Sequence, residues 1–345
     1  MKSKYTFVFN QDLEDLLDNI IAKLKNAVEK SDIRNLLQFI VFGGGYGRGE
    51  GGIFVSQKDV RLYNDLDFFV LAHDNASDED LKNIDSFFAI LSQELSEIAK
   101  IDVDFSKSVR TNYASARMDI MSWREMALCK NVILGDVERF TKIFLLNSDK
   151  TEVLPSEIMK LAMNRFSGLL YAKQRLSQKL ELSDDDADFI ARNINKALFA
   201  SGDIYLANAQ KMPFKITDRL AEIEGGNYPQ EIKKAYVIAT GFKALPKIHS
   251  SKSDYECQLT NAFELLKKAY FENIKYLKKR TFTRRIKDFL SCVKLFKDFA
   301  KFKKNVLFAS PLATLLQIAI DLIANSKTSD KSSVEVYTNI WNKLS

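Results

Sequence analysis

Phe39-Ile40-Val41-Phe42-Gly43-Gly44-Gly45-Tyr46-Gly47-Arg48-Gly49-Glu50-Gly51-Gly52 is the stretch on which the reading of the fold turns. Four consecutive apolar residues ending at glycine read as a short buried strand. The glycines that follow stand out from their background. The chain has 345 residues and only 13 glycines, about half the ordinary fraction. Seven of those 13 lie within the ten residues from Gly43 to Gly52. A backbone so rich in glycine turns tightly or approaches something closely, because glycine adopts positive φ and carries no Cβ.

Working outward, Leu13, Leu16, Leu17, Ile20, Ile21, Leu24, Ala27 and Val28 recur at helical spacing, which predicts an amphipathic helix over 12–29. Downstream, Leu66, Phe68, Phe69, Val70 and Leu71 form a second strand, opened by Asn64-Asp65. Helical spacing returns over 78–99, with Ser77 as its N-cap. Ile101-Asp102-Val103-Asp104-Phe105 alternates apolar and acidic residues, a strand with one acidic face. Met118–Cys129 reads as helix, and Asn131–Leu134 as a short strand ending at Gly135-Asp136. The order helix, strand, glycine loop, strand, helix, strand, helix implies a small α/β domain. Beyond it the periodicity is helical almost throughout, near 156–181, 184–209, 215–224, 230–242, 254–280, 283–308, 310–325 and 332–343. Ser183 before Asp184-Asp185-Asp186 marks a helix start, with acids at the positive end of the dipole.

Charge and proline divide the chain in the same place. Residues 1–150 carry 19 Lys+Arg against 24 Asp+Glu, a net −5; residues 151–345 carry 32 against 21, a net +11. All five prolines (Pro155, Pro213, Pro229, Pro246, Pro311) follow residue 150. A boundary near 147–155 separates two expected domains, an α/β domain over 1–150 and an α-helical domain over 151–345.

Composition removes several function classes. No run of 18 apolar residues suggests a membrane span, and the N-terminus has no long apolar core of a signal peptide. Cys129, Cys257 and Cys292 form no CxxC pair and no disulfide framework, which points to a reducing cytoplasm. Two histidines, His73 and His249, leave no HExxH motif and little scope for a Ser-His-Asp triad. Chemistry here falls to carboxylates, lysines or bound metal.

Asp65 and Asp67 share one strand face, and Asp102 and Asp104 share another. If those strands are neighbours, up to four carboxylates converge, and divalent cations relieve their repulsion. Hard cations such as Mg²⁺ take oxygen ligands and retain room for substrate phosphates. The glycine loop offers backbone N–H groups to a phosphate, and Arg48 a charge-assisted fork. This is the equipment of two-metal phosphoryl or nucleotidyl transfer.

In these motifs the sequence resembles the nucleotidyltransferase superfamily of the DNA polymerase β type. Gly44-Gly45-Tyr46-Gly47-Arg48-Gly49-Glu50 is similar to that family's turn after an apolar strand, and Asn64-Asp65-Leu66-Asp67-Phe68 to its Asp-x-Asp metal strand. Trp123-Arg124-Glu125 through Val132-Ile133-Leu134-Gly135-Asp136 resembles the end of the catalytic domain in small bacterial members, antibiotic nucleotidyltransferases among them. The resemblance covers about residues 35–140. It implies a two-domain α+β/α fold: a small mixed-sheet nucleotidyltransferase-like α/β domain, then an all-α domain shaping an acceptor pocket. It further implies that Gly44 and Gly45, with Arg48 and Glu50, hold the nucleotide. Asp65 and Asp67 would bind two Mg²⁺ ions, with a third carboxylate from Asp102 or Asp104. An NMP group, AMP foremost, would pass from an NTP to an acceptor hydroxyl or phosphate with release of pyrophosphate. A small molecule, a protein or an RNA end would serve as the acceptor. The family's apolar-Asp-apolar-x-apolar pattern fits Asp102, whereas Asp104 would need an apolar residue where Lys107 stands. Gly45 and Asp65 are 20 positions apart, longer than the family's gap, so residues 53–63 read as an inserted extension.

Other readings compete. Gly47-x-Gly49-x-x-Gly52 satisfies a dinucleotide fingerprint, but Ile53-Phe54-Val55 follows where a helix should start. No Walker A motif occurs, nor the HRD and DFG motifs of kinases. Arg48 could pair with Glu50 or another acid. Lys275–Lys304 interleaves basic and aromatic residues, either as solvated helix faces or as a surface for RNA or an acidic protein. Arg192, Lys196 and Asp203 suit an ordinary helix and also acceptor contacts. A nucleotide-binding regulatory or interaction protein on the same fold is the alternative to an enzyme.

Overall fold

The computed structural model describes residues 3–56, 59–148, 153, 155–248, 251–273, 286, 290, 293, 295–302, 311–325 and 331–344. They form two compact units. The first holds Met1–Val153 with two later segments, Pro213–Asp218 and Gly241–Pro246; the second holds Leu154–Met212, Arg219–Thr240 and Lys247–Ser345.

The first unit is built on a five-stranded mixed sheet. Its central strand β1 (Leu37–Phe42) is buried along its whole length, which is why it reads as an unbroken apolar run. In chain order there follow a single helical turn α2 (Gly44–Gly47), a hairpin of β2 (Ile53–Val55) and β3 (Val60–Leu62), and strand β4 (Leu66–Ala72). Strands β5 (Val103–Phe105), β6 (Val109–Arg110) and β7 (Val132–Leu134) complete the set. β1 lies between β4 and β7 and is antiparallel to both; β5 and β6 run parallel to β4.

Helices cover both faces. On one, α1 (Gln11–Glu29) and α3 (Asp78–Ala99) bring Leu17, Ile20, Leu24, Ile84, Phe88 and Leu95 against Ile40, Phe42, Leu66, Phe68 and Val70. Ser77 and Asp80 close a capping box at the start of α3, where the sequence places the cap. On the other face, α4 (Thr111–Ser115), α5 (Met121–Cys129) and α6 (Val137–Ser148) pack Ala114, Met126, Ala127, Phe140 and Phe144 against Phe39, Val41 and Leu71.

The second unit is helical among its described residues. α7 (Pro155–Gln178) packs on α8 (Asp184–Asn208), on α11 (Lys252–Asn273) and on α13 (Pro311–Ala324). α9 (Ile216–Gly225), α10 (Gln230–Ala244), α12 (Phe296–Ala300) and α14 (Lys331–Asn342) complete it, although α9 begins and α10 ends within the first unit's segments. Ser167 and Tyr171 of α7 bond to Tyr337 at 2.7 Å and Thr338 at 2.9 Å, fixing α14. The helix expected over 283–308 lies largely outside the described residues.

Candidate functional site

Strand alternation divides β4 between the two cores. Leu66, Phe68 and Val70 enter the α1/α3 side, which turns Asp67, Phe69 and Leu71 to the α5 side. β5 pairs with β4 in the register Leu66↔Val103, Asp67↔Asp104, Phe68↔Phe105. Asp104 therefore stands directly across from Asp67, and the two strands are neighbours as the carboxylate argument requires. Asp65, Asp67 and Asp104 each offer an oxygen within 4.8 Å of the others. Asp102 is not in this group. It precedes β5, and its carbonyl accepts the Leu66 N–H at 2.9 Å. The apolar spacing that favours Asp102 is thus a poorer guide than the register, which brings Asp104 to Asp67.

The glycine turn is pressed onto this group. Gly43 donates its N–H to the Asp67 carbonyl at 2.8 Å. Gly44 has φ +58°, and a Cβ there would lie 1.9 Å from Asp67 Oδ2. Only glycine lets the backbone pass so close to the carboxylate. The other glycines serve packing: a Cβ at Gly47 would meet the Phe42 carbonyl at 2.2 Å, and one at Gly51 the Tyr46 ring at 2.0 Å. The N–H groups of Gly43, Gly47, Glu50 and Gly51 bond to backbone carbonyls. Those of Gly44, Gly45 and Tyr46 open the helical turn, where an N–H has no acceptor within the helix.

The electrostatics are those of crowded acids. Burial, then the charges of Asp65, Glu125 and Asp104, push the Asp67 carboxyl up to about 7, with Lys243 acting in the opposite sense. Asp104 is also raised, by burial and by Asp65 and Asp102. Lys243 and Glu125 are neighbours that the sequence reading did not assign to the site. Lys243 arrives on the segment 241–246, with its Nζ 3.2 Å from where a Gly45 Cβ would be. No local motif signals its approach. Glu125 lies in a stretch singled out only for resemblance.

Arg48 and Glu50 are engaged with each other. Arg48, with a side chain 7% exposed, contacts Glu50 at 3.3 Å and bonds to Glu125, and its guanidinium lies 5.9 Å from the Phe214 ring centre. Glu50 accepts the N–H groups of Ile216 at 3.0 Å and Thr217 at 3.2 Å, at the start of α9. The acid partner weighed for Arg48 is therefore present, and Glu50 also tethers 213–218 to the glycine turn. Trp123 packs on Phe69 at 5.8 Å, and Asp136 accepts the Arg139 N–H at the start of α6.

The extension at 53–63 is the β2–β3 hairpin. Its root is held by Tyr46, whose hydroxyl donates to the Gly52 carbonyl at 2.7 Å and accepts the Tyr63 N–H at 3.0 Å.

In the second unit, Ser183 and Asp186 form the expected helix cap. Bonds from Lys179 and Ser183 hold Asp186 down at about 2. Arg192 pairs with Asp188 at 3.0 Å; Asp203 pairs with Arg219 at 3.6 Å and accepts the Tyr236 hydroxyl at 2.8 Å. Most of the basic stretch 275–304, along with His249 and Cys292, lies outside the described residues. No helix among the described residues is long and apolar enough to cross a membrane. No known family model matches the chain, and no curated protein matches it.

Proposed function

We propose that the chain is a divalent-cation-dependent nucleotidyltransferase, moving an NMP group from an NTP to an acceptor hydroxyl or phosphate with release of pyrophosphate. One observation carries the reading: a glycine at positive φ presses its backbone onto Asp67, itself one of three clustered carboxylates. An all-oxygen donor set of three acids suits a hard cation such as Mg²⁺, and burial with the neighbouring acids raises Asp67, a cost that a bound cation would relieve.

Asp65, Asp67 and Asp104 would hold the metal, two ions on the two-metal scheme. A bound divalent cation neutralises phosphate oxygens and makes a hydroxyl more acidic. The chain's own residues supply position and proton handling. The opening N–H groups at Gly44 and Gly45 face no helical acceptor and suit phosphate oxygens, and the Lys243 ammonium beside Gly45 adds positive charge. Asp104, which the strand register sets across from Asp67, is the base we assign to the acceptor hydroxyl. The acceptor oxygen forms its bond to the α-phosphorus as the bond to pyrophosphate breaks. Arg48, Glu50 and Glu125 brace the turn.

The test is a panel of α-labelled NTPs with Mg²⁺, incubated with the chain and cell extract. Transfer of label by the wild type, and none by an Asp65→Ala/Asp67→Ala double variant, is the expected result. Equal Mg·NTP binding by the double variant and the parent would overturn the metal assignment. Binding without transfer across the panel would favour the regulatory-protein alternative.

A further inference from the structure

The β2–β3 hairpin has two unlike faces. Ile53 and Leu62, paired in register, are buried. Phe54 and Arg61, the next pair, belong to the opposite face, and Tyr63 follows two residues after Arg61 on that same face. The Arg61 guanidinium lies 4.9 Å from the Phe54 ring centre. Phe54 and Tyr63 are 24° from parallel with centroids 6.4 Å apart, and Tyr63 meets Phe242 edge-on at 6.0 Å. All three rings are half-buried. The hairpin root has its own packing in Ile53, Leu62 and Tyr46, so it does not need this row as core.

Two members of the row, Tyr63 and Phe242, lie close in sequence to residues at the carboxylate site. Tyr63 stands two residues before Asp65. Phe242 precedes Lys243, whose Nζ approaches Gly45 and whose charge is felt by Asp67. Tyr46, 1% exposed, bonds from within the glycine turn to Gly52 and Tyr63, the residues that flank the two hairpin strands. The row is therefore fixed relative to the turn.

We propose that Phe54, Arg61, Tyr63 and Phe242 form a stacking platform for a nucleobase presented to the Asp65–Asp67–Asp104 site. Half-exposed rings, one of them beside a guanidinium, attract a flat heteroaromatic ring through stacking and cation–π attraction, which together give about tenfold to a hundredfold in affinity per base. The proposal rests on the phosphate-site reading above. Its ligand chemistry is a nucleobase, from the NTP or from the last nucleotide of an acceptor strand.

The full chain is titrated calorimetrically in Mg²⁺ with inorganic tripolyphosphate, with ATP and with a short RNA ending in a 3′-hydroxyl. The wild type is compared with Phe54→Ala, Tyr63→Ala and Tyr63→Phe. If the platform takes the NTP base, the wild type prefers ATP to tripolyphosphate by about tenfold or more. Both alanine variants then lose that preference, Tyr63→Phe keeps it, and tripolyphosphate affinity moves less than twofold. If it takes the acceptor base, the same loss falls on the RNA and not on ATP. ATP and RNA affinities that both survive in the alanine variants overturn the proposal. Tripolyphosphate that fails to bind the wild type, or binds the Asp65→Ala/Asp67→Ala variant equally well, overturns the phosphate-site reading beneath it. Should Tyr63→Ala not fold, Phe54→Leu keeps apolar bulk without a ring and must show the same loss.

Discussion

Gly44 and Asp67 depend on each other. The backbone at Gly44 sits at φ +58°, and any Cβ there would strike the Asp67 carboxylate. Gly44→Ala is expected to destabilise the chain by about 1–3 kcal/mol and to weaken divalent-cation affinity at least about tenfold. Urea melts and calorimetric titration check this; an alanine variant with parental cation affinity contradicts the site. Asp67 also predicts a pH dependence. Its folded pKa is about 7, against an ordinary 3.8. Between those values the folded chain binds a proton that the unfolded chain does not. In cation-free buffer this group's contribution to stability therefore falls as pH rises from about 4 to about 7, then levels off. Asp67→Asn removes that slope, so thermal melts should show the variant gaining on the parent toward pH 8, by at most on the order of 4 kcal/mol. Melting profiles that run parallel across this range rule the shift out. Cation binding requires the carboxylate, so wild-type affinity should rise with pH up to about 7, with proton release visible as a buffer-dependent enthalpy.

At the scale of elements, the decisive join is Tyr46 between the glycine turn and the hairpin. Tyr46→Phe keeps the ring and removes two hydrogen bonds, leaving the Gly52 carbonyl and the Tyr63 N–H without this partner. The expected cost is about 1–3 kcal/mol, with faster amide exchange at Tyr63; unchanged exchange there would mean that the hairpin root is held by other contacts. The long elements were legible from sequence. The helix expected over 78–99 is found at Asp78–Ala99, because a capping box and an unbroken apolar stripe define it locally. The short elements were not legible. Ile53–Val55 and Val60–Leu62 are strands of three residues, too short for periodicity to report, and they appeared only as an extension. The helical turn at Gly44–Gly47 runs against glycine's poor helix propensity and is held by contacts from outside it.

At the scale of the whole molecule, composition locates a change near residue 150, yet the first unit also contains 213–218 and 241–246. These segments carry the N–H groups that Glu50 accepts and the Lys243 chain beside Gly45 and Gly52. A fragment ending at residue 153 leaves the buried Glu50 with Arg48 but without those donors. It should melt well below the full chain and lose its cation-dependent stabilisation, whereas the full chain should gain thermal stability as Mg²⁺ is added. Scanning calorimetry of both, with and without Mg²⁺, checks this; a fragment as stable and as responsive as the whole would show that the later segments are dispensable.

By itself the sequence determined the buried strand, the glycine cluster, the acidic alternation on two strands and the helical second half. Each of these is a local property, carried by side-chain period, caps and composition. Tertiary structure alone decided that Asp104 rather than Asp102 joins Asp65 and Asp67, because strand register depends on long-range pairing. It alone also decided that Glu50 and Arg48 brace the turn, that Lys243 comes to Gly45, and that Tyr46 pins a hairpin beside the acids. Those partners lie up to about two hundred residues apart along the chain, and no local period encodes which distant side chain will fill a given space.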